Sequence, residues 1–377
     1  MHTPSSMFVL RIFGWFVATV FVATSASAYG PIGHQIVGAI ADERLANTPA
    51  AAKIRTLLQG YTLEKAAVIP DEIKGWDKNG VDDPKTFRYS SRPRLDAELA
   101  DFWRANPPSH DRNSPVPSHH WFHYTDVPVL NAAKYAEGKT GRSQWDIVHI
   151  IRYCVRVLKG DEPEDNPRKI TRTVAVILLA HFVGDIHQPL HVGAQFFDEK
   201  GEPVDPDGGA AGLEDQGGNT IVLKHTPAAA ERIGQKKAKL HGFWDNQAVA
   251  ANLPILPKKM PKEERRARTD EARKTLVAEF AREEPKGWRA PADVPPSDYG
   301  EVWANEILPI AREAHERLQF RNMAPKQEHG QMVAAGFAEE KAGSDGPAYD
   351  QWAARVVREE LHKAGWRLAD VLEKALR

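Results

Sequence analysis

Between Ile170 and Ile186 runs a stretch so apolar on every side that, as a helix, it belongs only in a protein interior. Pro189 sets its end, because proline cannot continue a helix. Beyond Thr173 two polar side chains break the run, His181 and Asp185, and their spacing of four puts them on one face. An unpartnered carboxylate there carries a desolvation cost of several kcal/mol. A divalent cation beside it offsets that cost, so the segment predicts a central buried helix that carries part of a metal site.

A second His/Asp pair with the same spacing, His241 and Asp245, lies in L-H-G-F-W-D, and His191 follows just beyond Pro189. Further candidates are His34, Asp71 in I-P-D-E-I-K, and His123 in H-H-W-F-H-Y-T-D. By residue type alone, His120 is as good a ligand as His123. Neutral imidazoles and carboxylates are what zinc takes when no thiolate is offered. Cys154 is the only cysteine, which also excludes intramolecular disulfides.

Elsewhere the periodic segments are helical. Val148, Ile151, Val155 and Leu158 recur at steps of three and four between Trp145 and Lys159, and Trp352, Val356, Ala364, Leu368 and Val371 do so near the C-terminus. Asn219 to Leu223 is the best strand candidate, so the expected class is mainly α. Pro325 to Pro347 reads as a loop. The charged run Lys258 to Lys274 reads as a solvated helix or surface insertion rather than a nucleic-acid contact. With 50 basic and 51 acidic residues, the chain lacks the charge to wrap duplex nucleic acid electrostatically. At the start, Arg11, an apolar run from Ile12 to Ala23 and Ala26-Ser27-Ala28 predict a signal peptide over residues 1 to 28. The run is too short for a membrane anchor, which needs about 20 residues. Cleavage after Ala28 would release a secreted or periplasmic protein starting at Tyr29. Residues 29 to 377 are expected to form one domain with insertions near 193 to 216 and 250 to 295.

Y-G-P-I-G-H at 29 to 34, I-P-D-E-I-K at 69 to 74, H-Y-T-D at 123 to 126, H-F-V-G-D-I-H-Q-P-L-H at 181 to 191, G-G-N at 217 to 219 and L-H-G-F-W-D-N at 240 to 246 occur in that order. In these motifs the chain resembles the zinc-dependent single-strand nucleases of fungi, plants and bacteria, as a bacterial-type member. W-A-N-E at 303 to 306 and A-G-W-R-L-A at 364 to 369 extend the resemblance to the C-terminal helices. It implies a phospholipase C/nuclease-like helical fold with a trinuclear zinc cleft. One Zn2+ would be held by Asp71, His123, His181 and Asp185. A close second would take the amino group and carbonyl oxygen of Tyr29, His34 and a bridging Asp185. A third would take His191, His241 and Asp245. Tyr29 stands where the family usually has Trp, a departure that leaves backbone ligation unaffected.

The resemblance further implies a phosphodiesterase acting on single-stranded DNA and RNA to give 5′-phosphorylated products, with 3′-nucleotidase activity. Two close zinc ions lower the pKa of a shared water towards neutrality, and the third stabilises the leaving oxygen. Lys74 would stabilise phosphoryl charge beside the catalytic carboxylates Asp71 and Asp185. Tyr124 would stack on an unpaired base, and Asp126 and Asn246 would read its edge. The alternative is a zinc-dependent phospholipase C, which tends to have Glu at the place of Asp245 and lacks H-Y-T-D. His187 is expected to be a core or supporting histidine, and no protein partner is implied.

Overall fold

The computed structural model describes residues 29–112, 114–257, 259–343 and 346–377, so the leader read in residues 1 to 28 lies outside the described residues. The central helix, Arg172–Asp185, starts where the Thr171 side chain accepts a hydrogen bond from the Val174 amide. That contact satisfies one of the amides a helix start leaves free. Every residue from Thr173 to Asp185 is buried. Around it pack the N-terminal helix Gly30–Leu45, the helices Pro93–Ala105 and Ile147–Lys159, and the long C-terminal helix Tyr349–Ala375. Ile177, Leu178, Leu179, Phe182 and Val183 are each buried, at about 1.5–3 kcal/mol apiece. Their sum outweighs the several kcal/mol spent holding Asp185 out of water.

Ile147–Lys159 buries the predicted stripe of Val148, Ile151, Val155 and Leu158. Asp146 caps its start, and Gly160, at φ 82°, closes its end in the left-handed region where a Cβ would be strained. The charged run forms the helix Lys262–Arg282. It buries Arg273, Leu276, Val277, Phe280 and Ala281 and packs on the N-terminal and C-terminal helices. Among the described residues no helix is long and apolar enough to cross a membrane.

Of the three sheets among the described residues, two tie distant segments together. Val127–Pro128 pairs in parallel with Gly193–Ala194, which clamps the chain just after His123 to the chain just after His191. A four-stranded sheet runs in the order Lys237–Lys239, Ile221–Lys224, Gln331–Glu340, Leu318–Glu328. Its second strand is the one expected near Asn219 to Leu223. The hairpin Leu318–Glu328 and Gln331–Glu340 replaces most of the loop expected from Pro325 to Pro347. Pro325 pairs opposite Ala334 on the outer edge strand, the part of a sheet where proline is tolerated.

Candidate metal centre

Five chain segments meet at the end of the central helix. That helix supplies His181 and Asp185, and the turn Pro189–His191 beyond it supplies His191. The N-terminal helix lays the His34 ring on His181, centroids 3.8 Å apart. Gly184 makes this possible, since a Cβ there would lie 2.9 Å from His34 Nδ1. The short helix Ile69–Glu72 carries Asp71, the turn Trp121–His123 carries His123, and the turns over 240 to 247 carry His241 and Asp245.

His123 Nδ1 lies 3.0 Å from Asp185 Oδ2 and 3.9 Å from Asp71 Oδ1. His181 Nε2 lies 3.1 Å from His123 Nδ1, 3.2 Å from Asp185 Oδ2 and 3.8 Å from Asp71 Oδ1. A tetrahedral zinc ion with bonds of about 2.0 Å holds its ligand atoms about 3.3 Å apart, so these four side chains fit around one ion. The other oxygen of Asp185, Oδ1, faces His34 Nε2 at 3.2 Å. His241 Nε2 is 2.9 Å from His191 Nε2 and 3.6 Å from Asp245 Oδ2.

Backbone carbonyls fix which nitrogen of each ring faces inwards. Nδ1 of His181, His191 and His241 lies against the carbonyls of Ala67, His123 and Gly217, at 2.6, 2.6 and 2.7 Å. A proton donated there leaves Nε2 as a lone pair. The Nε2 lone pairs of His191 and His241 then confront each other, an arrangement that calls for a cation between them. Both ring nitrogens of His34, Asp185 Oδ1 and Asp245 Oδ2 are buried without a hydrogen-bond partner among the described residues. Unpartnered buried polar atoms are costly, and here His34 Nε2 faces Asp185 Oδ1 while Asp245 Oδ2 lies in the group of His191 and His241. The donor set therefore fits divalent metal ions.

The electrostatics agree. Burial pushes His123 well below the usual histidine range and His241 down to about 3, which keeps both imidazoles neutral, the form that binds metal. Burial raises Asp245 well above the carboxylate range, and the charges of Asp185 and Asp71 add to it against the Gln188 hydrogen bond. Asp185 is held well below that range because His181 and His191 outweigh its burial. At His181 burial is outweighed in turn by Asp185 and Asp71, which draw a proton to the ring as they would any cation.

Each of the expected substrate groups has its own partners. Lys74 Nζ is 2.8 Å from Asp71 Oδ1, beside the metal group. Tyr124 lies under the Arg112 guanidinium, 5.1 Å from ring centre to Cζ, and the same guanidinium pairs with buried Asp126 and with Glu214 at 3.2 Å. Asn246 is exposed, bonded to the Gly242 carbonyl and pressed against Gly30. Tyr29 is buried at φ 40°, its hydroxyl donating to the His187 carbonyl at 2.6 Å and its own carbonyl accepting from the Gly33 amide at 2.9 Å. Its backbone amide faces the Asp245 carboxylate. Sequence reasoning missed Arg112 and also Gln188, whose Nε2 donates to Asp245 Oδ1 at 2.9 Å. The Q-P-L-H segment contained Gln188, but nothing in its spacing links it to residue 245. His187 is a core histidine held between the Val183 carbonyl and Arg367 Nη1.

A mainly helical fold that gathers buried His and Asp groups at the end of its central helix defines a metal-dependent protein of the phospholipase C/nuclease-like fold. The family model described as S1/P1 Nuclease matches residues 29–377, and the chain belongs to that family. It is similar to Endonuclease 4 of Arabidopsis thaliana, 31% identical over 147 residues that cover 36% of this chain and 40% of the relative. To Endonuclease 1 of the same plant it is 24% identical over 238 residues, 61% of this chain and 57% of the relative. The chain thus spans less than two thirds of the length of these relatives.

Proposed function

We propose that the protein is a secreted, zinc-dependent endonuclease that hydrolyses single-stranded DNA and RNA to 5′-phosphorylated products and removes 3′-phosphates from nucleotides. The observation that carries this reading is the gathering of His and Asp ligand atoms within 4.8 Å of one another in three groups: Asp71, His123 and His181; His34, His181 and Asp185; and His191, His241 and Asp245. Three zinc ions bound there supply an activated water and Lewis acidity towards phosphoryl and leaving oxygens. Asp185 holds the first two groups together through its two oxygens. Asp71, once it faces a metal, frees Lys74 to neutralise charge on the phosphate. Tyr124 offers a stacking face worth about 1–3 kcal/mol to an unpaired base, which favours single strands. Arg112 swings off Tyr124 and Asp126 to admit it, and Asn246 contacts the base edge from the other flank.

Export belongs to this reading. Cleavage after Ala28 turns the Tyr29 amide into an amine next to Asp245 and makes it available as a ligand. The mature chain is one domain, with the segments 193 to 216 and 250 to 295 as insertions. Purified protein beginning at Tyr29 should cleave denatured DNA, RNA and a 3′-nucleotide, spare phosphatidylcholine, and lose activity to a chelator. Cleavage of the lipid alone, or activity indifferent to chelation, would overturn the proposal.

A further inference from the structure

A fourth group of metal-type side chains lies outside the cleft: Asp77, His119 and His120, whose candidate ligand atoms all lie within 4.8 Å of one another. Its origin is topological. Asp77 follows Asp71 by six residues, and His119 and His120 precede His123 by four and three. The two segments that bring Asp71 to His123 therefore bring Asp77 to His119 and His120 as well. Asp77 Oδ1 is 3.2 Å from His119 Nε2, and Oδ2 is 2.6 Å from His120 Nε2. Trp103 Nε1 donates to Asp77 Oδ1 at 2.8 Å, which orients the carboxylate from behind as the outer partners of metal ligands do.

We propose that Asp77, His119 and His120 form a separate binding site for a divalent first-row metal ion, with zinc the best match to two imidazoles and a carboxylate. The site has a closed wall and an open side. The His119 side chain is 2% exposed, while those of His120 and Asp77 are 21% and 19% exposed. On the open side the His110 ring lies 5.6 Å from that of His120 and stacks on His329 at 4.4 Å. An ion here ties the segment ending in His123 to the helical turn Ile73–Lys78, which carries both Lys74 and Asp77. With three protein ligands and a side open to water, it is bound less tightly than the ions of the cleft.

The proposal stands independently of the number of metals in the cleft. Untagged protein beginning at Tyr29 is dialysed against micromolar free zinc, and bound metal is counted in wild type, His120→Ala and Asp77→Asn. His149→Ala, a histidine bonded to Asp146 elsewhere, serves as control. Wild type and His149→Ala should each hold one zinc per chain more than His120→Ala and Asp77→Asn. A mild chelator should remove that ion first. With cobalt in place of zinc, the difference between wild type and His120→Ala should show a visible absorption band of a low-coordinate ion. His120 is partly exposed, so its loss leaves the fold intact, and Asp77→Asn keeps the shape of the side chain. Equal metal counts in wild type and both variants, or no cobalt difference band, would overturn the proposal and leave the cluster as hydrogen bonds alone. A failure of the cleft reading would lower all the counts together while preserving the difference of one.

Discussion

Gln188 touches no proposed metal, yet its replacement by leucine should weaken one group of ligands selectively. The side chain is fully buried. Its Nε2 donates to Asp245 Oδ1 at 2.9 Å, and its Oε1 accepts from the Leu190 amide at 2.6 Å. Losing the first bond lets Asp245 reorient and strengthens its hold on a proton, which then competes with metal. Changes to groups that orient ligands cost 10–100-fold in metal affinity, about 1.4–2.7 kcal/mol. Losing the second bond orphans the Leu190 amide and destabilises the fold by about 1–3 kcal/mol. Urea unfolding of the metal-free protein reads the cost of both lost bonds to the fold, apart from metal binding. Competition for zinc with a chromophoric chelator reads the first, and the ion at His191, His241 and Asp245 should be released about 10–100-fold more readily while the others hold. Equal weakening of every ion, or none, would refute the reasoning.

Other outcomes follow from the same geometry. Gly184→Ala places a Cβ 2.9 Å from His34 Nδ1, so it should displace that ring, cost about 1–3 kcal/mol and lower metal occupancy at the His34 group as read by metal counting. One extra residue before Tyr29 should remove the amine ligand and lower activity on denatured DNA while the ion at His191, His241 and Asp245 remains; full activity would count against N-terminal ligation. His315, buried against Asp215 at 3.2 Å, has its pKa raised because the hydrogen bond and charge of Asp215 outweigh burial. Its folded value lies above the unfolded one, so its stabilisation is complete below about pH 6.5 and is lost as pH rises through the folded value. Urea midpoints at saturating metal should fall across that range in wild type, and His315→Gln should lose that component of the slope.

Much of this was legible in the sequence where chemistry and periodicity coincide. The central helix could be read because its apolar run leaves no polar face, and His181 with Asp185 stood out against it. The helix Ile147–Lys159 could be read from its stripe. The hairpin from Leu318 to Glu340 could not. Pro325 reads as a breaker unless one knows that its strand is the sheet edge, and Gly336 of the inner strand reads as a breaker unless one knows that Met323 and the Arg321 and Asn322 carbonyls leave a Cβ no room there. Arg112, which covers Tyr124 and pairs with Asp126, was invisible because ion pairs between distant segments leave no periodic trace. The same holds for Gln188 on Asp245. Asp77, His119 and His120 were visible as residues, but only the crossing of their two segments makes them a group.

The most direct test of the metal reading is a crystal structure of zinc-loaded protein beginning at Tyr29, with anomalous maps recorded on both sides of the zinc absorption edge. Three peaks that appear only above the edge are expected in the cleft. They should lie among Asp71, His123, His181 and Asp185, between His34, Asp185 and the Tyr29 amine, and among His191, His241 and Asp245. A cleft without such peaks, with Asp185 and Asp245 protonated instead, would contradict the account.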